Sequence, residues 1–409
     1  MTVTGIGEIA PSAGLAPRVL DLFASPRGPT LEQAICAQLA LPDIEIVSSG
    51  TAALLVALTW LKRQSPRRKV IIPAYTCPLV VRAVASAGLV AVPCDTVAAG
   101  FELDARHLDR LLDRDTLAVV PTHYGGVLTD VAHVTRVARA RSPEIAIIED
   151  AAQAFGATWQ GRSVGLAGDI GLFSFGAGKG FTIYEGGGLV AREPGTLAGV
   201  RQVAAELASG SLLREAHRAL LLAGYHAAYN RLGLSAVYGA PKRFWLGRGD
   251  EVRAANDDVP PRVVVHRVGP WRKAVGRAAL ARLPAHLAAA RDRFARLATK
   301  IAAIPGLKVH LPVPGAEPSA TFVFVTLPPS AASEATIRGL WASPLGVTKL
   351  FSRAIVDYPH LEPWVLRTET PNARALAATT LTVSTHRDFD PAAEAAVLAA
   401  LREACAGAA

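Results

Sequence analysis

The sequence predicts an α/β protein: a mainly parallel sheet with helices on both faces, followed by a smaller C-terminal α+β domain. Three observations predict this class. Short apolar, largely β-branched runs alternate with helical patterns from about residue 44 to 191. These runs are apolar throughout, which is typical of strands buried on both faces of a parallel sheet. A pair of prolines at 260 and 261 then interrupts the chain before a segment of helices with one strand.

Six apolar runs are the predicted strands of the large sheet. In chain order they are IEIV (44–47), KVIIP (69–73), LVAVP (89–93), LAVVP (117–121), IAIIE (145–149) and IGLFS (170–174). Helical patterns lie between most of them, for example AALLVALTWLKR (52–63) and DARHLDRLLDR (104–114). Sheets of this kind bind ligands at the carboxyl ends of their strands, so the residues that follow the strands are the candidates for chemistry.

The rest of the chain predicts an insertion and a second domain. Residues 196–250 have mostly helical patterns that become irregular through YGAPKRFWLGRGDEV, and NDDVPPR reads as a linker. We therefore predict a large domain over residues 1–255, which contains the insertion, and a small domain over residues 256–409. In the small domain we predict one long helix from about Trp271 to Ala303, a strand (ATFVFVTLP), a helix (SEATIRGLWAS) and a final helix from Pro391.

Composition excludes several classes of protein. With 51% hydrophobic and 19% charged residues, the 409-residue chain is globular and not disordered. Its 43 Lys and Arg against 34 Asp and Glu give a formal charge of +9. The basic residues are scattered among acidic ones, and the densest run is only Arg67-Arg68-Lys69. This pattern favours a solvated positive surface or an anionic small-molecule ligand over nucleic acid.

The chain shows no sign of export or of a membrane span. No run of about 18 uncharged apolar residues is present, and the first residues lack a basic leader and an apolar signal core. The four cysteines, Cys36, Cys77, Cys94 and Cys405, form no CxxC pair. We therefore predict a cytoplasmic protein that has no transmembrane span and no metal site.

Two residues near strand ends stand out chemically. Asp150 ends the apolar run IAIIED, where a carboxylate needs a cation or a hydrogen-bond donor; it could equally cap a helix over AAQAFGA. Lys179 follows the strand IGLFS in a segment rich in glycine. A phosphate loop of the form GxxxxGK[ST] is excluded there, because Phe173 occupies the position of the first glycine and Gly180 that of the Ser or Thr.

The third feature is Ser49-Gly50-Thr51, which lies between the first strand and a buried helix. It is either an ordinary helix cap or a phosphate site at a helix N-terminus. Together the three features fit pyridoxal 5′-phosphate (PLP). The phosphate needs a helix N-terminus, the ring nitrogen needs an anion such as Asp150, and the aldehyde needs an amine such as Lys179. Lys179 would also carry a proton to and from the substrate's α-carbon.

Five segments extend this interpretation: VSSGTAALLVAL, VIIPAYTCPLVVRAVASAGLVAVPCD, VVPTHYGGVLTDV, IIEDAAQAFGATWQGRSVGLAGDIGLFSFGAGKG and EGGGLV. In these segments and their order the chain resembles the DegT/DnrJ/EryC1/StrS family of fold-type-I PLP-dependent aminotransferases, which aminate nucleotide-linked keto sugars. The resemblance covers roughly residues 40–195. It is looser in the C-terminal domain, where NARALAATTLTVS carries it.

The resemblance implies roles for individual residues. Lys179 would form the Schiff base with the cofactor, and Asp150 would be the partner of the pyridinium nitrogen. Gln153 would face the phenolic oxygen of the cofactor. Three residues would hold the phosphate: Gly50, Thr51 and Ser174. Gln153 as a turn amide and Ser174 as a strand-end hydroxyl are the alternatives.

The chain departs from the family pattern at three places. Cys77 stands where relatives have an aromatic residue stacked on the cofactor ring, so the stacking role is either lost or passed to Tyr75 or Tyr124. Cys77 and Tyr75 are both expected to lie at the cofactor. The family's SFHPxK becomes SFGAGK, in which Gly176 replaces the histidine, and TTGEGG becomes TIYEGGG. The glycine–asparagine segment that reaches the neighbouring subunit's phosphate has no clear match, and Asn256 is the candidate for it.

The function implied is transfer of an amino group from an amino acid donor, expected to be glutamate, to a keto sugar on a nucleotide carrier, for surface polysaccharide or secondary metabolite synthesis. Relatives are homodimers, so a homodimer is expected. One alternative is a PLP enzyme that acts on a non-sugar ketone or catalyses dehydration, although sugar dehydratases of the group replace the lysine with histidine. Another is a non-catalytic PLP-binding protein whose insertion docks on a membrane or partner.

Overall fold

The computed structural model describes residues 7–210 and 212–406. These residues form a large central sheet, a smaller second sheet, a three-stranded β-structure and helices around them. The strands are β1 Glu45–Val47, β2 Lys69–Pro73, β3 Val90–Cys94, β4 Thr116–Val119, β5 Ala146–Asp150, β6 Thr158–Trp159, β7 Arg162–Ser163, β8 Ile170–Ser174, β9 Gly187–Ala191, β10 Lys308–His310, β11 Ala316–Glu317, β12 Phe322–Thr326, β13 Val347–Thr348 and β14 Thr380–Ser384.

The helices flank the sheets and build the insertion. They are α1 Leu31–Leu39, α2 Gly50–Gln64, α3 Pro78–Ser86, α4 Ala105–Leu111, α5 Val131–Arg141, α6 Pro194–Leu207, α7 Leu212–Ala228, α8 Arg231–Leu234, α9 Ala240–Leu246, α10 Glu251–Ala255, α11 Pro270–Leu280, α12 Leu283–Ala302, α13 Ala331–Ala342, α14 Pro371–Thr379 and α15 Pro391–Ala406. Short 3₁₀ segments cover Val19–Phe23, Ile355–Asp357 and Pro359–Trp364, and a π-helical segment covers Ser235–Gly239.

The central sheet has seven strands in the order β1-β9-β8-β5-β4-β2-β3. The pairings β8–β5, β5–β4, β4–β2 and β2–β3 are parallel, and β9 is antiparallel to both of its neighbours, β1 and β8. All six predicted strands are present, within a few residues of their expected bounds. The sheet is therefore mainly parallel, as the sequence predicts.

Helices cover both faces of this sheet because successive residues of a strand point to opposite sides. Val70 and Ile72 of β2 pack in a cluster with α2, α3 and α6, whereas Ile71 packs in another cluster with α4 and α5. Both sets of side chains are fully buried. The uninterrupted apolar runs in the sequence follow directly from this double coverage.

The smaller sheet has the order β10-β12-β14-β13, and all three of its pairings are antiparallel. It shares a hydrophobic cluster with α12, α13 and α15, and this cluster also takes Ile9 and Ala13 from the N-terminal segment. The predicted strand, helix and final helix of this region are all present. The domain boundary at residue 255 stays a prediction.

Two predictions in the helical regions are wrong. The single helix expected from Trp271 to Ala303 is broken into α11 and α12. Pro284, in the first turn of α12, has no backbone N–H to continue the helix from the residues before it. The segment expected to be irregular, YGAPKRFWLGRGDEV, is largely helical, because Pro241 lies in the first turn of α9 and Asp250 caps α10 through the Arg253 N–H.

Helix α7 of the insertion makes charged contacts with α11 and with the segment before β9. Glu215 of α7 makes a two-pronged ion pair with Arg272 of α11, whose side chain is fully buried, at 2.7 and 2.6 Å. Arg218 of α7 pairs with Glu185, which belongs to the TIYEGGG segment. The departure from the family pattern in that segment therefore lies where the insertion docks.

Two further observations bear on the predicted environment of the protein. Within the described ranges, no helix is both long enough and apolar enough to cross a membrane. All four cysteines are free thiols.

Candidate active site

The predicted site residues come from strand ends at one edge of the central sheet. Asp150 ends β5, and Ser174 ends the neighbouring parallel strand β8. Helix α2 begins three residues after β1 ends at Val47. Gly187 of β9 pairs with Val47 on one side and Ser174 on the other, so it joins the two strand ends. This edge is the place where an open α/β sheet binds ligands.

The N-terminus of α2 and Ser174 lie side by side and have the chemistry to hold an anion; we call this group the anion cradle. Ser49 caps the helix by accepting the Ala52 N–H at 3.0 Å, which leaves the Gly50 and Thr51 N–H groups of the first turn without intrahelical partners. A Cβ at position 50 would lie 2.9 Å from Ser174 Cβ and 3.2 Å from its Oγ. Only glycine fits there, because the N-terminus of α2 packs closely against Ser174; this packing brings the Ser174 hydroxyl near the helix N-terminus.

Asp150 is buried and incompletely bonded. Its side chain is only 5% exposed, and its Oδ1 accepts the Ala152 N–H at 2.9 Å. No helix follows it, so the helix-cap alternative does not hold. Its Oδ2 accepts no hydrogen bond from any residue in the described ranges. Burial raises the pKa of Asp150, and the Ala152 N–H, Lys179 and His123 offset this only in part. A cationic nitrogen-bearing ligand would complete this environment.

Lys179 lies in a loop that the N-terminal segment holds in place. Gly178 has a φ of +77°, and its carbonyl accepts the Ser12 hydroxyl at 2.7 Å. A Cβ at Gly176 would lie 3.6 Å from Ser174 Oγ and 4.0 Å from Lys179 Cγ, so the lysine stem and the anion cradle adjoin. Among the described residues, none forms a hydrogen bond or ion pair with Lys179 Nζ. The amine is therefore available to a ligand.

A pocket of about 240 Å³ opens beside Lys179. Gln153 also lines it, and the Gln153 Oε1 accepts the Gly125 N–H at 3.5 Å. The four other predicted residues that surround the cradle and the carboxylate, Gly50, Thr51, Asp150 and Ser174, do not line this pocket. Lys179 therefore lies between two regions. On one side is the solvent-accessible pocket, and on the other are the anion cradle and the buried carboxylate of Asp150.

Cys77 and the two tyrosines that are candidates for stacking on the ring differ in exposure. Tyr75 and Tyr124 are fully buried, the Tyr124 hydroxyl donates to the Tyr75 carbonyl at 2.5 Å, and both rings pack against Phe101. Neither ring presents a surface to the pocket. Cys77 is half-buried at the N-cap of α3 and lies close enough to Lys179 to feel its charge. Burial raises the Cys77 pKa to about 11, so its thiol is protonated at neutral pH.

Asn256, the candidate for the missing asparagine, is exposed and caps α10 in the left-handed conformation, with a φ of +60°. The next residue is more informative. Asp257 is buried and accepts hydrogen bonds from the Ser352 N–H and Oγ and from the Tyr358 hydroxyl, at 2.8, 2.7 and 2.6 Å. Asp257 therefore connects the segment after α10 with Ser352 and Tyr358, and it lies near Cys77.

Two residues in or next to the site have no role predicted from the sequence. Lys349 is a second lysine on the pocket wall; it is only 8% exposed, and its Nζ donates to the Ser352 carbonyl at 3.3 Å. Glu149 is the other: it accepts N–H groups of Gly165, Ala167 and Gly168 at 2.5 to 2.9 Å. Its position next to Asp150 on a strand was the available signal, since adjacent strand residues face opposite sides.

The chain is similar in sequence to known proteins over part of its length. The model of the DegT/DnrJ/EryC1/StrS aminotransferase family matches residues 24–212. The 3-amino-5-hydroxybenzoate synthase of Amycolatopsis mediterranei strain S699 is 35% identical over 144 residues, which are 35% of this chain and 36% of that protein. The GDP-perosamine synthase of Caulobacter vibrioides is 34% identical over 154 residues, which are 38% of this chain and 41% of that protein. The matched segment thus spans about two fifths or less of either relative.

The fold agreement extends further than the sequence agreement. The crystal structure of the aminotransferase TlmJ from Streptoalloteichus hindustanus superposes with a TM-score of 0.69 over 93% of this chain and 92% of that one, at 23% identity. The predicted fold class, the fold-type-I transferase architecture with its smaller C-terminal domain, is confirmed. Over residues 24–212, which contain the anion cradle, Asp150 and Lys179, the chain is similar to the DegT/DnrJ/EryC1/StrS aminotransferase family.

Proposed function

We propose that the chain is a PLP-dependent aminotransferase that moves an amino group from an amino acid, glutamate by preference, to a keto sugar on a nucleotide carrier. The observation that carries the proposal is the grouping of Lys179, Asp150 and the cradle of α2 and Ser174 at one sheet edge. An unpaired amine, a buried carboxylate with a free oxygen and a helix N-terminus are the three groups that PLP requires.

Each group has a task that its surroundings support. Gly50, Thr51 and Ser174 would bind the phosphate, and Gln153 would lie toward the phenolic oxygen. Asp150 would hold a proton on the ring nitrogen, because its free Oδ2 lies in a buried site where a cation is favoured. Bound PLP supplies an electron-withdrawing ring that stabilises negative charge at the substrate's α-carbon.

Lys179 would act twice. Its Nζ would hold the cofactor covalently at the aldehyde carbon. Once the amino group of the substrate has replaced it there, the same Nζ would take the proton from the substrate's α-carbon and donate it to the carbon on the other side of the amino nitrogen, two bonds away. The absence of a competing hydrogen bond to Nζ in the described structure supports this role. The hydrogen bond from the Ser12 hydroxyl to the Gly178 carbonyl would keep the lysine loop in place during both tasks.

The acceptor is proposed from the relatives. One of them is named for a GDP-linked amino sugar, which favours a nucleotide-linked keto sugar. The other is named for an amino-hydroxybenzoate, so a non-sugar cyclic ketone is the second candidate. The pocket beside Lys179, at about 240 Å³, is of a size to take the reacting ring of either substrate.

A homodimer in the cytoplasm is part of the proposal. Several large apolar side chains of the N-terminal segment and the insertion are strongly exposed, which favours a covering partner such as a second copy. Four free thiols without a disulfide are typical of a reducing compartment.

The test compares Lys179→Ala with Lys308→Ala, an exposed lysine of β10 that serves as the control. Reduction of the PLP-loaded wild type with borohydride, followed by peptide mass spectrometry, should place a pyridoxyl group on Lys179. Lys179→Ala should lose this label and all turnover of glutamate with nucleotide keto sugars, and Lys308→Ala should keep both. Turnover at the wild-type level in Lys179→Ala would refute the mechanism.

Acceptors are distinguished by a screen of the wild type with nucleotide keto sugars and with cyclic ketones that carry no nucleotide. Release of 2-oxoglutarate from glutamate reports the donor step, and the aminated product reports the acceptor step. An aminated product from the cyclic ketones alone would replace the first candidate with the second. Cofactor binding without any donor step would instead support a non-catalytic PLP-binding protein.

A further inference from the structure

We propose that a second cavity, separate from the pocket at Lys179, binds a diphosphate group. This basic cavity has a volume of about 580 Å³ and lies among the N-terminal segment, the end of α7, α12 and the turn after β14. Four arginines and three histidines line it, and no acidic side chain does so in the part of the chain that the structure describes. These basic residues are Arg18, Arg282, Arg293, Arg387, His226, His286 and His386.

The positive charge of the basic cavity is only partly compensated. Arg282 makes a two-pronged ion pair with Asp21 at 2.8 and 2.7 Å. Arg387 Nε is 3.7 Å from Asp388 Oδ1, and the Arg387 side chain is exposed. Arg293 is half-buried and forms no ion pair with any described carboxylate; its Nε donates to the Thr385 carbonyl at 2.5 Å.

The surroundings of Arg293 favour a bound anion. Burial lowers its pKa most, followed by the neighbouring Arg296; Asp292 opposes this only in part, and Arg387 adds a smaller lowering effect. A half-buried guanidinium beside like charges is costly unless an anion neutralises it. The planar groups of Arg293 and Arg387 suit the two-pronged binding of phosphate oxygens.

The histidines add hydrogen-bond donors and hold the walls in place. His286 Nε2 donates to the Ala13 carbonyl at 3.2 Å, and His226 Nδ1 donates to the Pro17 carbonyl at 2.9 Å. The Asp388 N–H donates to His386 Nδ1 at 3.2 Å, so the proton of this ring is on Nε2, which can donate to a ligand. Burial lowers the His386 pKa to about 4, so the ring is neutral at physiological pH.

A diphosphate fits this cavity better than the alternatives. Several guanidinium groups around one space suit a ligand with more than one negative charge, and the volume is that of a small-molecule site. The same chemistry has two sources: the nucleotide carrier of the acceptor, or a free phosphate metabolite. Assignment to the carrier rests on the proposed function; the binding itself does not.

The basic cavity shares a wall with the active site. Pro11 and Ser12 line the pocket at Lys179, and the residues that follow them line the basic cavity. A Cβ at Gly14 would lie 2.6 Å from the Lys179 carbonyl oxygen. Gly14 lines the basic cavity and Lys179 lines the pocket, so the two spaces are separated there by these two residues in contact. A ligand in the basic cavity would therefore contact the segment that holds the lysine loop.

Calorimetric titration tests the binding. The wild type, Arg387→Gln, Arg293→Gln and the control Arg106→Gln, an exposed arginine of α4, are titrated with pyrophosphate, with UDP and GDP, and with glutarate. We expect the wild type to bind the diphosphates more tightly than glutarate. Each cavity variant should raise their Kd by about 10-fold or more, the usual size of a charge-assisted hydrogen bond, and Arg106→Gln should not.

Because Arg387 is exposed, Arg387→Gln should keep the wild-type Tm even if Arg293→Gln does not fold. Diphosphate binding that is absent in the wild type, or unchanged in Arg387→Gln, would overturn the proposal whether or not the protein transaminates. Diphosphate binding without transamination would keep the proposed diphosphate site and refute the proposed function.

Kinetics of Arg387→Gln distinguish the two sources of the diphosphate. A raised KM for the nucleotide keto sugar, with the KM for glutamate unchanged, assigns the diphosphate to the nucleotide carrier. An unchanged KM for the keto sugar assigns it to a free metabolite.

Discussion

Glu149 and Asp150 show how neighbouring carboxylates acquire different properties from the two sides of one strand. Asp150 faces the candidate site with one oxygen free, and burial raises its pKa. Glu149 faces the other way and accepts three backbone N–H groups, and the His123 Nε2 lies 2.9 Å from its Oε1. The Thr129 N–H donates to His123 Nδ1, so Nε2 carries the proton and donates to Glu149. One carboxylate can bind a ligand, and the other organises a loop.

Glu149→Gln should be strongly destabilising. The amide of glutamine would present donors to N–H groups that need acceptors, at a cost of about 2 to 4 kcal/mol in the free energy of unfolding. Urea denaturation measures this, with the exposed Glu334→Gln as the control. A Glu149→Gln variant as stable as the control would show that the loop from Gly165 to Gly168 does not depend on this carboxylate.

The same residue predicts a dependence of stability on pH. Burial alone would raise the pKa of Glu149, but His123 and the backbone N–H groups outweigh it and hold the pKa below its ordinary 4.5. A group with a lowered folded-state pKa stabilises fully above its unfolded-state pKa and loses that contribution as the pH falls through the folded-state value. The difference in stability between the wild type and Glu149→Gln should therefore be constant above about pH 4.5 and shrink below it.

Among the elements, β9 and the two helices of residues 270–302 mark the limits of prediction from the sequence. The run GGLVA of β9 contains two glycines, which have low strand propensity, so the local sequence does not favour a strand. The fold nevertheless needs glycine there, because a Cβ at Gly187 would lie 2.3 Å from the Ser49 carbonyl oxygen. Close packing against α2, which no local pattern reveals, requires the glycine. The break between α11 and α12 was hidden because the apolar pattern continues through it.

The insertion is anchored by a buried ion pair. Lys242 of α9 donates to Glu8 at 2.7 Å, and Arg243 donates to the other oxygen of Glu8 at the same distance. Glu8 is fully buried and Lys242 is 3% exposed. The adjoining π-helical segment ends at Gly239, where a Cβ would lie 2.1 Å from Glu8 Oε2. The insertion and the N-terminal segment therefore depend on each other.

Breaking this pair should be costly. Lys242→Met and Glu8→Gln should each lower the free energy of unfolding by about 3 to 5 kcal/mol, since each leaves a buried group unpaired. The double variant should be less destabilised than the sum of the two. The exposed pair of Arg367 and Glu362, treated in the same cycle, should give about 1 kcal/mol or less. Additive effects for the buried pair would contradict the coupling.

At the scale of the whole molecule, the exposed apolar side chains predict self-association. Leu20 and Phe23 are 83% and 80% exposed in the N-terminal segment, and Leu212, Leu213 and Leu220 of α7 are 91%, 85% and 70% exposed. His226 near the end of α7 donates to the Pro17 carbonyl, so this end of the helix adjoins the N-terminal segment. A second copy that covers both would remove this surface from water.

Leu20→Glu combined with Phe23→Glu should convert a dimer into a monomer in size-exclusion chromatography with light scattering, because a buried charge opposes association. Leu311→Glu, at a 58%-exposed leucine after β10, is the control and should stay dimeric. A wild type that is monomeric at all concentrations, or a double variant that stays dimeric, would remove this surface from the proposed interface.

The sequence by itself determined the strand positions, the α/β class and the identity of Lys179, Asp150, Gly50 and Ser174 as candidates, because each depends on local patterns of apolar residues and on motifs that lie near one another along the chain. Tertiary structure alone decided that Tyr75 and Tyr124 are enclosed, since Phe324 and Phe351, hundreds of residues away, pack against them. It also decided where the excess positive charge gathers. The arginines of the basic cavity come from three distant segments, and only folding brings their charges close enough to act on one ligand.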